Sequence, residues 1–273
     1  MKTQSIWRPG AATCAGSRHR TEKSPCQDAA RARSSRGRSW ALVTDGRGSS
    51  AHSQHGAKDA AKDFDYAVRG VESQLVHCLD NPAESFVEHL SKWRIISEIL
   101  VAALVNSQRR TAEIHGRPVA DFEYTLAAVV IGKHYGAVLQ IGDSCIALVK
   151  ADRSRLALLP DRGEYDNETH FVENSGTPFA HLRVDLFPAE DVTAAFCFTD
   201  GLSSKWVDNR THETAGGIAQ IAENLARGEW NHGHIEAYIR HEFWSATSDD
   251  DRGLAYLFVE RRSQNQRVQP YAK

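Results

Sequence analysis

The sequence predicts an α+β fold in which antiparallel β-sheets are covered by helices. Three observations lead to this prediction: two stretches with helical periodicity lie in the first half, a run of short strands follows them, and helices and a last strand close the chain. Strands and helices therefore do not alternate, as they would around a doubly wound parallel sheet. No repeat or linker-like composition divides the chain, so one domain is expected over residues 1–262, followed by a polar C-terminal tail over residues 263–273.

The first part of the chain combines a polar segment, one strand and two helices. The segment before Trp40 is polar and basic, with a short strand expected near Ser5–Arg8 and a solvated hairpin loop at Arg31–Arg38. Trp40–Thr44 is a short apolar run, which is typical of a strand. Apolar residues spaced by three and four then predict two helices, over Ala57–Leu79 and Phe86–Leu104. An Asn-Pro pair separates these helices.

The middle of the chain has the pattern of a β-meander. The runs "FEYTLAAVVIG", "GAVLQIG" and "CIALVK" are short and apolar, and glycine-containing turns separate them. Residues 160–180 are polar and turn-rich, which predicts an irregular surface flap. The buried strand "TAAFCF", two or three helices and the strand "LAYLFVE" complete the predicted fold, and "GGIAQIAENLARG" and "GHIEAYIRHEFW" have clear helical periodicity.

Composition excludes several classes of site and partner. A formal net charge of −2 gives no basic surface for nucleic acid, and no apolar stretch approaches the about 18 residues of a membrane span. The five cysteines are odd in number and never spaced Cys-x-x-Cys, which argues against disulfides and thiolate zinc sites. No signal peptide is visible, so a cytoplasmic protein is expected. Neither of the histidine pairs His52/His55 and His232/His234 combines i, i+4 spacing with a third nearby ligand, so structural or solvent roles are expected.

Aspartates border several of the predicted strands. Two strands end in the same Thr-Asp-Gly step, in "WALVTDGRGSS" and "AFCFTDGLSS". One Asp-Gly step indicates little because the pair is common in turns. Asp28, Asp143 and a run of three aspartates before the last strand add further carboxylates at strand ends. Carboxylates brought together need a counter-charge, and short oxygen ligands suit Mg²⁺ or Mn²⁺.

Six short motifs resemble, in order, those of the metal-dependent type 2C serine/threonine protein phosphatases (the PPM family), in their bacterial-type branch. They are "CQDA", "DGRGS", "YTLA", "GDS", "DGL" and "DDRG", at residues 26–29, 45–49, 124–127, 142–144, 200–202 and 250–253. "GEYDNETHF" also resembles the flap of that branch. Each motif is weak alone, but the ordered set is fairly specific. The resemblance implies a four-layer αββα sandwich, in which two antiparallel sheets are flanked by helix pairs.

The resemblance also implies a set of metal ligands. Asp45 would bridge two Mn²⁺ or Mg²⁺ ions, and the Gly46 carbonyl would bind one of them. Asp200 and Asp250 would bind the other ion. Asp143, together with Asp200, would hold a third, looser ion.

Catalytic roles are implied for two further positions. Asp28 would orient metal-bound water. Arg20 is the candidate for the arginine that binds the substrate phosphate, and Arg18 is an alternative that the spacing leaves open. Arg47 stands where the family usually has histidine, and would either contact phosphate or pair with a surface carboxylate. Gln27 stands where the family usually has glutamate.

The predicted function is metal-dependent hydrolysis of phosphoserine or phosphothreonine in proteins, by water activated between two ions. The substrate would be a phosphoprotein product of a serine/threonine kinase, in signalling, with no nucleic-acid or membrane partner. The alternative is a catalytically weak or inactive phosphatase-fold module that binds a phosphoprotein or regulates a partner. Gln27, Arg47 and the reduction of Gly-Thr-Thr to residues 124–126 favour the alternative, whereas retention of Asp45, Asp200 and Asp250 favours the enzyme.

Overall fold

The computed structural model describes residues 6–35, 37–151, 153–161, 169–172, 179–208 and 210–261. Its strands, in chain order, are β1 (Trp7–Cys14), β2 (Asp28–Ser35), β3 (Arg38–Gly46), β4 (Tyr124–Ile131), β5 (Tyr135–Ile141), β6 (Cys145–Lys150), β7 (Arg153–Leu156), β8 (Arg183–Pro188), β9 (Ala194–Phe198) and β10 (Arg252–Val259). They form two five-stranded sheets with the orders β1-β10-β9-β6-β7 (sheet A) and β2-β3-β4-β5-β8 (sheet B). All strand pairs within these sheets are antiparallel.

The helices form two groups along the chain. They are α1 (Ser17–Glu22), α2 (Ser53–Gly70), α3 (Glu72–Leu79), α4 (Phe86–His115), α5 (Asp200–Trp206), α6 (Gly216–Ala226) and α7 (His232–Arg240). Short 3₁₀ helices occupy Val119–Phe122, Ala189–Asp191 and Glu242–Ala246. None of the described helices is both long enough and apolar enough to cross a membrane.

Three apolar clusters define four layers. One cluster joins sheet B to α2, α3 and α4, and another joins sheet A to α5, α6 and α7. The third lies between the sheets and contains small and branched residues, among them Ala41, Val43, Ala127 and Val129. The order of layers is therefore helices, sheet B, sheet A, helices. The predicted α+β fold, a four-layer αββα sandwich, is confirmed.

The polar N-terminal segment is more regular than the sequence indicates. The strand expected near Ser5–Arg8 is β1, which extends to Cys14, and the expected loop at Arg31–Arg38 is wrong because β2 continues to Ser35. Both β1 and β2 are edge strands, which need fewer apolar residues than central strands. Arg38 itself is buried and pairs with the carboxylates of Glu72 and Asp80 at 3.2 and 3.0 Å.

The helices over sheet B differ from the prediction in their bounds. The first predicted helix is divided into α2 and α3 at Gly70 and Val71. The second extends to His115, beyond its last apolar repeat, because buried polar side chains replace apolar ones in the last turns. Gln108 is one of them: its Nε2 donates hydrogen bonds of 3.1 Å to the carbonyls of Phe122 and Val172.

The predicted flap over residues 160–180 lies partly outside the described residues. Its described centre, residues 169–172, is called the flap segment below. Val172 forms an antiparallel bridge with Tyr124 at the start of β4. The predicted tail, residues 263–273, lies outside the described residues, so the division into one domain and a tail stays a prediction.

Candidate metal centre

Asp45 lies at the end of β3, where the alternation of the strand directs it into the space between the sheets. Ala41 and Val43 belong to the core between the sheets, whereas Trp40 and Leu42 pack against the helices. Because side chains alternate along a strand, Asp45 continues the row of Ala41 and Val43. The first Thr-Asp-Gly step therefore brings a carboxylate to the end of the inter-sheet core.

Asp28 lies directly opposite Asp45 in the β2–β3 register. It is 3% exposed, and its Oδ2 accepts a hydrogen bond of 2.7 Å from Thr199 Oγ1. Thr199 lies between β9 and α5, and its Oγ1 accepts a hydrogen bond of 2.8 Å from the backbone N–H of Gly253. These hydrogen bonds link Asp28 in sheet B to β9 and β10 in sheet A.

Close packing explains why glycine follows the aspartate in both Thr-Asp-Gly steps. A Cβ at Gly46 would lie 2.9 Å from the side chain of Ser53. A Cβ at Gly201, directly after Asp200, would lie 1.9 Å from the carbonyl oxygen of Asp251. Any larger residue would push these segments apart. Each glycine therefore lets a neighbouring segment close on a carboxylate at the end of a strand.

Asp143 lies in the turn that carries the chain from β5 in sheet B to β6 in sheet A. Gly142 before it has a φ of +90°, in the region that favours glycine. Ser144 after it is buried and shares a hydrogen bond of 2.7 Å with Thr125 Oγ1. Thr125 is the β4 residue paired with Asp45. The turn is therefore fixed beside Asp45.

Asp250 and Asp251 precede β10, but they have different surroundings. Asp251 is 3% exposed, and its carboxylate accepts hydrogen bonds of 2.7 and 2.6 Å from the backbone N–H groups of Gly16 and Gln27. Its Oδ2 also lies 2.8 Å from His19 Nδ1. Asp250 is only half-buried. Asp251 therefore joins the N-terminal segment to β10, while Asp250 faces the pocket described next.

One pocket of about 340 Å³ collects the carboxylates. Its lining comes from both sheets, the N-terminal helix region and the flap segment: Arg18, Gln27, Asp45, Gly46, Arg47, Gly48, Ser49, Thr125, Asp143, Thr169, Phe171, Asp200, Asp250 and Asp251. All five residues that the resemblance implies as metal ligands are in this lining. Asp28 is not in the lining, because it is buried behind Asp45.

Burial, and after it the charges of neighbouring aspartates, raises the pKa of two aspartates of this pocket, Asp45 and Asp200. Burial raises the pKa of Asp45 well above its ordinary value, and the charges of Asp28 and Asp200 raise it further. Burial also raises the pKa of Asp200 to about 7, with contributions from the charges of Asp250 and Asp143. Divalent cations are a common counter-charge for such a cluster. Because the side-chain donors are all oxygens, the cluster fits hard ions such as Mn²⁺ or Mg²⁺.

The two arginine candidates lie in different places. Arg18 lines the pocket, and its Nη2 is 3.6 Å from Asp250 Oδ1. The guanidinium of Arg20 is exposed and donates a hydrogen bond of 2.7 Å to the carbonyl of Ala15. The structure therefore brings Arg18, and not Arg20, to the carboxylates.

Two of the residues that depart from the type 2C motifs, Arg47 and Gln27, also line the pocket. Arg47 donates a hydrogen bond of 2.7 Å to Glu123, and its guanidinium lies 5.5 Å from the centre of the Phe171 ring. The expected pairing with a carboxylate is found, although Glu123 is buried and not on the surface. Gln27 Nε2 donates a hydrogen bond of 3.3 Å to the carbonyl of Ser50.

Comparison with known families gives a match to protein phosphatase 2C over residues 15–231, which is most of the chain. The chain belongs to the protein phosphatase 2C family. Serine/threonine-protein phosphatase 3 of Escherichia coli (strain K12) is 27% identical over 225 residues, which cover 76% of this chain and 79% of the relative. The resemblance stated from the motifs is confirmed, and so is the expected enzyme class, a protein serine/threonine phosphatase.

Solved structures share the protein phosphatase 2C fold. The serine/threonine phosphatase of S. agalactiae is 15% identical, with a TM-score of 0.59 and coverage of 93% of this chain and 100% of that one. The catalytic domain of the phosphatase PstP, solved in complex with two manganese ions, is 14% identical, with a TM-score of 0.57 and coverage of 94% and 99%. At these identities the likeness supports the fold alone.

Sequence reasoning missed three positioning residues of this protein phosphatase 2C site. Asp251, His19 and Thr199 are buried, and their hydrogen bonds hold the N-terminal segment, β10 and Asp28 together. The run of three aspartates before β10 was a signal for Asp251, but the sequence does not reveal which aspartate turns inward. A histidine in a basic segment and a threonine before Asp-Gly carry no signal of their own.

The raised pKa values predict how pH acts on the metal-free enzyme. Because the pKa of Asp200 rises from 3.8 to about 7, the folded chain keeps a proton there that the unfolded chain has already released between these pH values. The contribution of Asp200 to stability is thus fully present below pH 3.8 and is lost as the pH rises through about 7. Urea unfolding in EDTA should show a lower free energy of unfolding at about pH 8 than at about pH 5.5.

The matched control for this pH effect is Asp200→Asn, which carries no titratable group at that position. Its stability should change less between the two pH values. Added Mn²⁺ should raise the wild-type Tm more at the higher pH, because protons then compete less for the ligands. If the free energy of unfolding changed equally with pH in wild type and Asp200→Asn, the pH effect could not come from Asp200.

Proposed function

We propose that this protein phosphatase 2C hydrolyses phosphoserine and phosphothreonine in proteins with two bound Mn²⁺ or Mg²⁺ ions. The observation that carries the proposal is that Asp45 of sheet B lines one pocket together with Asp200 and Asp250, which lie just after β9 and just before β10 of sheet A. Mutually raised pKa values there mean that the fold holds these carboxylates together against their repulsion. Unfavourable charge of this kind is typical of functional sites.

The proposed ligands divide between the ions as follows. Asp45 would contact both ions, the Gly46 carbonyl one of them, and Asp200 and Asp250 the other, with Asp143 beside Asp200 available to a looser third ion. Bound ions would supply Lewis-acid chemistry, lowering the pKa of water and stabilising charge on phosphoryl oxygens. The lining also leaves room for substrate, because about 340 Å³ exceeds the space that two ions occupy.

The remaining residues would position the substrate and the ligands. Arg18 presents a guanidinium at the pocket, where a bidentate contact would hold the phosphate. Asp28, fixed by Thr199, lies behind Asp45 and would keep that carboxylate and nearby water in orientation. Arg47 is paired with Glu123, so it would shape the pocket wall beside the flap segment.

The substrate class is supported by the family to which the chain belongs. A phosphoserine or phosphothreonine on an exposed segment would be the product of a serine/threonine kinase, so such a kinase would act upstream in a signalling reaction. A cytoplasmic setting stays a prediction, and it is supported by five cysteines that are all free thiols.

Replacing Arg18 by alanine should raise KM for a phosphopeptide about tenfold, since one charge-assisted contact to phosphate is lost. Arg20→Ala is the matched control: it removes the same charge two residues away, from a side chain that contacts the Ala15 carbonyl. Its KM should change by less than about twofold. Steady-state kinetics with saturating Mn²⁺ measure both variants. A larger KM increase in Arg20→Ala than in Arg18→Ala would mean that Arg20, and not Arg18, binds the phosphate.

The experiment that tests the function as a whole compares metal binding with turnover. Wild type, stripped with EDTA and reloaded with Mn²⁺, should bind the metal in calorimetry and release inorganic phosphate from phosphoserine and phosphothreonine peptides. Binding of a phosphopeptide without Mn²⁺ binding or turnover would refute the enzyme. That result would instead support the alternative of an inactive phosphatase-fold module that binds a phosphoprotein.

A further inference from the structure

A second cluster of metal-binding side chains lies beside the pocket and contains the histidines that the aspartate site lacks. It consists of Asp161, His170 and His181, each half-buried. One ligand atom from each residue lies within 4.8 Å of the other two. The two imidazole rings are stacked, with centroids 3.4 Å apart and planes inclined by 10°. Their nitrogens are therefore brought close together next to a carboxylate.

The backbone near His170 is held on sheet B by the contacts of Val172. Two residues later, the N–H of Val172 donates a hydrogen bond of 2.8 Å to the carbonyl of Tyr124. Gln108 Nε2 of α4 donates to the carbonyl of Val172 at 3.1 Å. The flap segment is thus attached both to β4 and to α4.

The other two residues have separate anchors. The N–H of Asp161 donates a hydrogen bond of 3.1 Å to the carbonyl of Gly142. Next to His181, the carbonyl of Leu182 accepts a hydrogen bond of 2.6 Å from Arg94 Nη1 of α4. Three different segments are therefore held in place by contacts that do not involve the cluster itself. Such prior ordering lowers the entropy cost of binding a ligand.

We propose that Asp161, His170 and His181 bind one divalent transition-metal ion of the Zn²⁺ class. Two imidazoles and one carboxylate suit borderline ions such as Zn²⁺, whereas the all-oxygen aspartate site suits Mn²⁺ or Mg²⁺. Tetrahedral Zn²⁺ with bonds of about 2.0–2.2 Å places its ligand atoms about 3.3–3.6 Å apart. The three ligand atoms, which lie within 4.8 Å of one another, therefore have to move closer, and the two stacked rings have to rotate so that both nitrogen lone pairs point at one ion. Because the residues are half-buried, water can complete the coordination.

The position of this cluster gives the ion a structural role next to the catalytic pocket. Thr169 and Phe171, on either side of His170, line the pocket. The carbonyl oxygen of His170 lies 2.5 Å from the position that a Cβ at Gly142 would take, directly before Asp143. An ion that joins the three ligands therefore ties the flap segment to the turn that carries Asp143.

The test measures metal retention, which does not depend on catalysis. The full chain is stripped with EDTA, given Zn²⁺ together with excess Mg²⁺, desalted and analysed by mass spectrometry of its metals. Wild type should retain one equivalent of Zn²⁺, and the double variant His170→Gln/His181→Gln should retain less than about a tenth of that, because two of three ligands are lost. Asp45→Asn/Asp200→Asn should retain the wild-type amount.

Two further variants serve as controls. His232→Gln/His234→Gln removes two exposed histidines of α7, so Zn²⁺ retention should not change. Asp161→Asn should weaken Zn²⁺ binding without removing an imidazole, and it provides a second variant should the double one fail to fold. Co²⁺ added to Asp45→Asn/Asp200→Asn should give visible absorption bands that disappear when His170 and His181 are also replaced.

Two results would overturn the proposed zinc site. One is a wild type that retains no Zn²⁺. The other is equal retention by wild type, Asp161→Asn and His170→Gln/His181→Gln. Neither result bears on the phosphatase reaction, since retention is measured without substrate, and a failure of Mn²⁺-dependent turnover would leave the zinc result unchanged.

Discussion

Asp45→Asn is expected to lower phosphatase kcat/KM by about a hundredfold or more while it raises the Tm of the metal-free protein. The loss of activity follows from the position of Asp45, the proposed ligand that contacts both ions. The gain in stability follows from its surroundings, because burial and the charges of Asp28 and Asp200 raise its pKa well above the ordinary value. Asparagine removes a charge that the metal-free fold holds against repulsion.

Asp200→Asn should behave in the same way, since burial and the charges of Asp250 and Asp143 raise the pKa of Asp200 to about 7. Opposite changes in activity and stability distinguish a functional carboxylate from a structural one, whose loss lowers both. The measurements are phosphopeptide hydrolysis with Mn²⁺ and thermal unfolding in EDTA at about pH 8, where the carboxylates are most charged.

The matched control is Asp191→Asn. Asp191 lies near the start of β9, but it is exposed and forms a surface ion pair with Lys150 at 3.1 Å. Such pairs contribute about 0–1 kcal/mol, so activity and Tm should both stay close to wild type. Full Mn²⁺-dependent activity in Asp45→Asn would refute the metal centre proposed here, whatever its Tm.

The parts of the fold that could be predicted are those whose apolar residues form a continuous run or recur at a regular spacing. The strands β4, β5, β6, β9 and β10 are largely buried, and their continuous apolar sequences predict this burial. Of the edge strands, only the start of β1 was recognised and β2 was not, because one side of an edge strand needs no apolar neighbour. The last turns of α4 were missed for a related reason, since buried Gln108 and Thr111 donate hydrogen bonds to groups that only the tertiary structure brings near them.

The candidate site likewise has residues that the sequence predicts and residues that it does not. Aspartates at strand ends can be found in the sequence because Asp-Gly steps after apolar runs are local patterns. Which neighbour turns inward is decided by partners far away in the chain: Asp251 accepts hydrogen bonds from Gly16 and Gln27. The choice between Arg18 and Arg20 is of the same kind, because it depends on where α1 directs each side chain.

Asp251→Asn is expected to lower the free energy of unfolding by about 2–4 kcal/mol, the cost of disrupting a buried, fully bonded carboxylate. Its Oδ2 accepts from the Gln27 N–H at 2.6 Å and lies 2.8 Å from His19 Nδ1, while Oδ1 accepts from the Gly16 N–H at 2.7 Å. An asparagine amide group at either oxygen would face a backbone N–H donor, so one buried hydrogen bond is lost in either orientation.

Asp250→Asn is the matched comparison, since it makes the same change one residue earlier. Asp250 is half-buried, and its pKa is raised mainly by burial, although the charge of Arg18 lowers it in part. Its loss should leave the stability of the metal-free protein unchanged or slightly higher, while it weakens Mn²⁺ binding and activity. Urea unfolding in EDTA measures the stabilities, and calorimetry with Mn²⁺ measures binding to whichever variants are folded at low temperature. Equal destabilisation of the two variants would mean that Asp250 also stabilises the fold. The proposed difference in role, with Asp251 structural and Asp250 a metal ligand, would then be wrong.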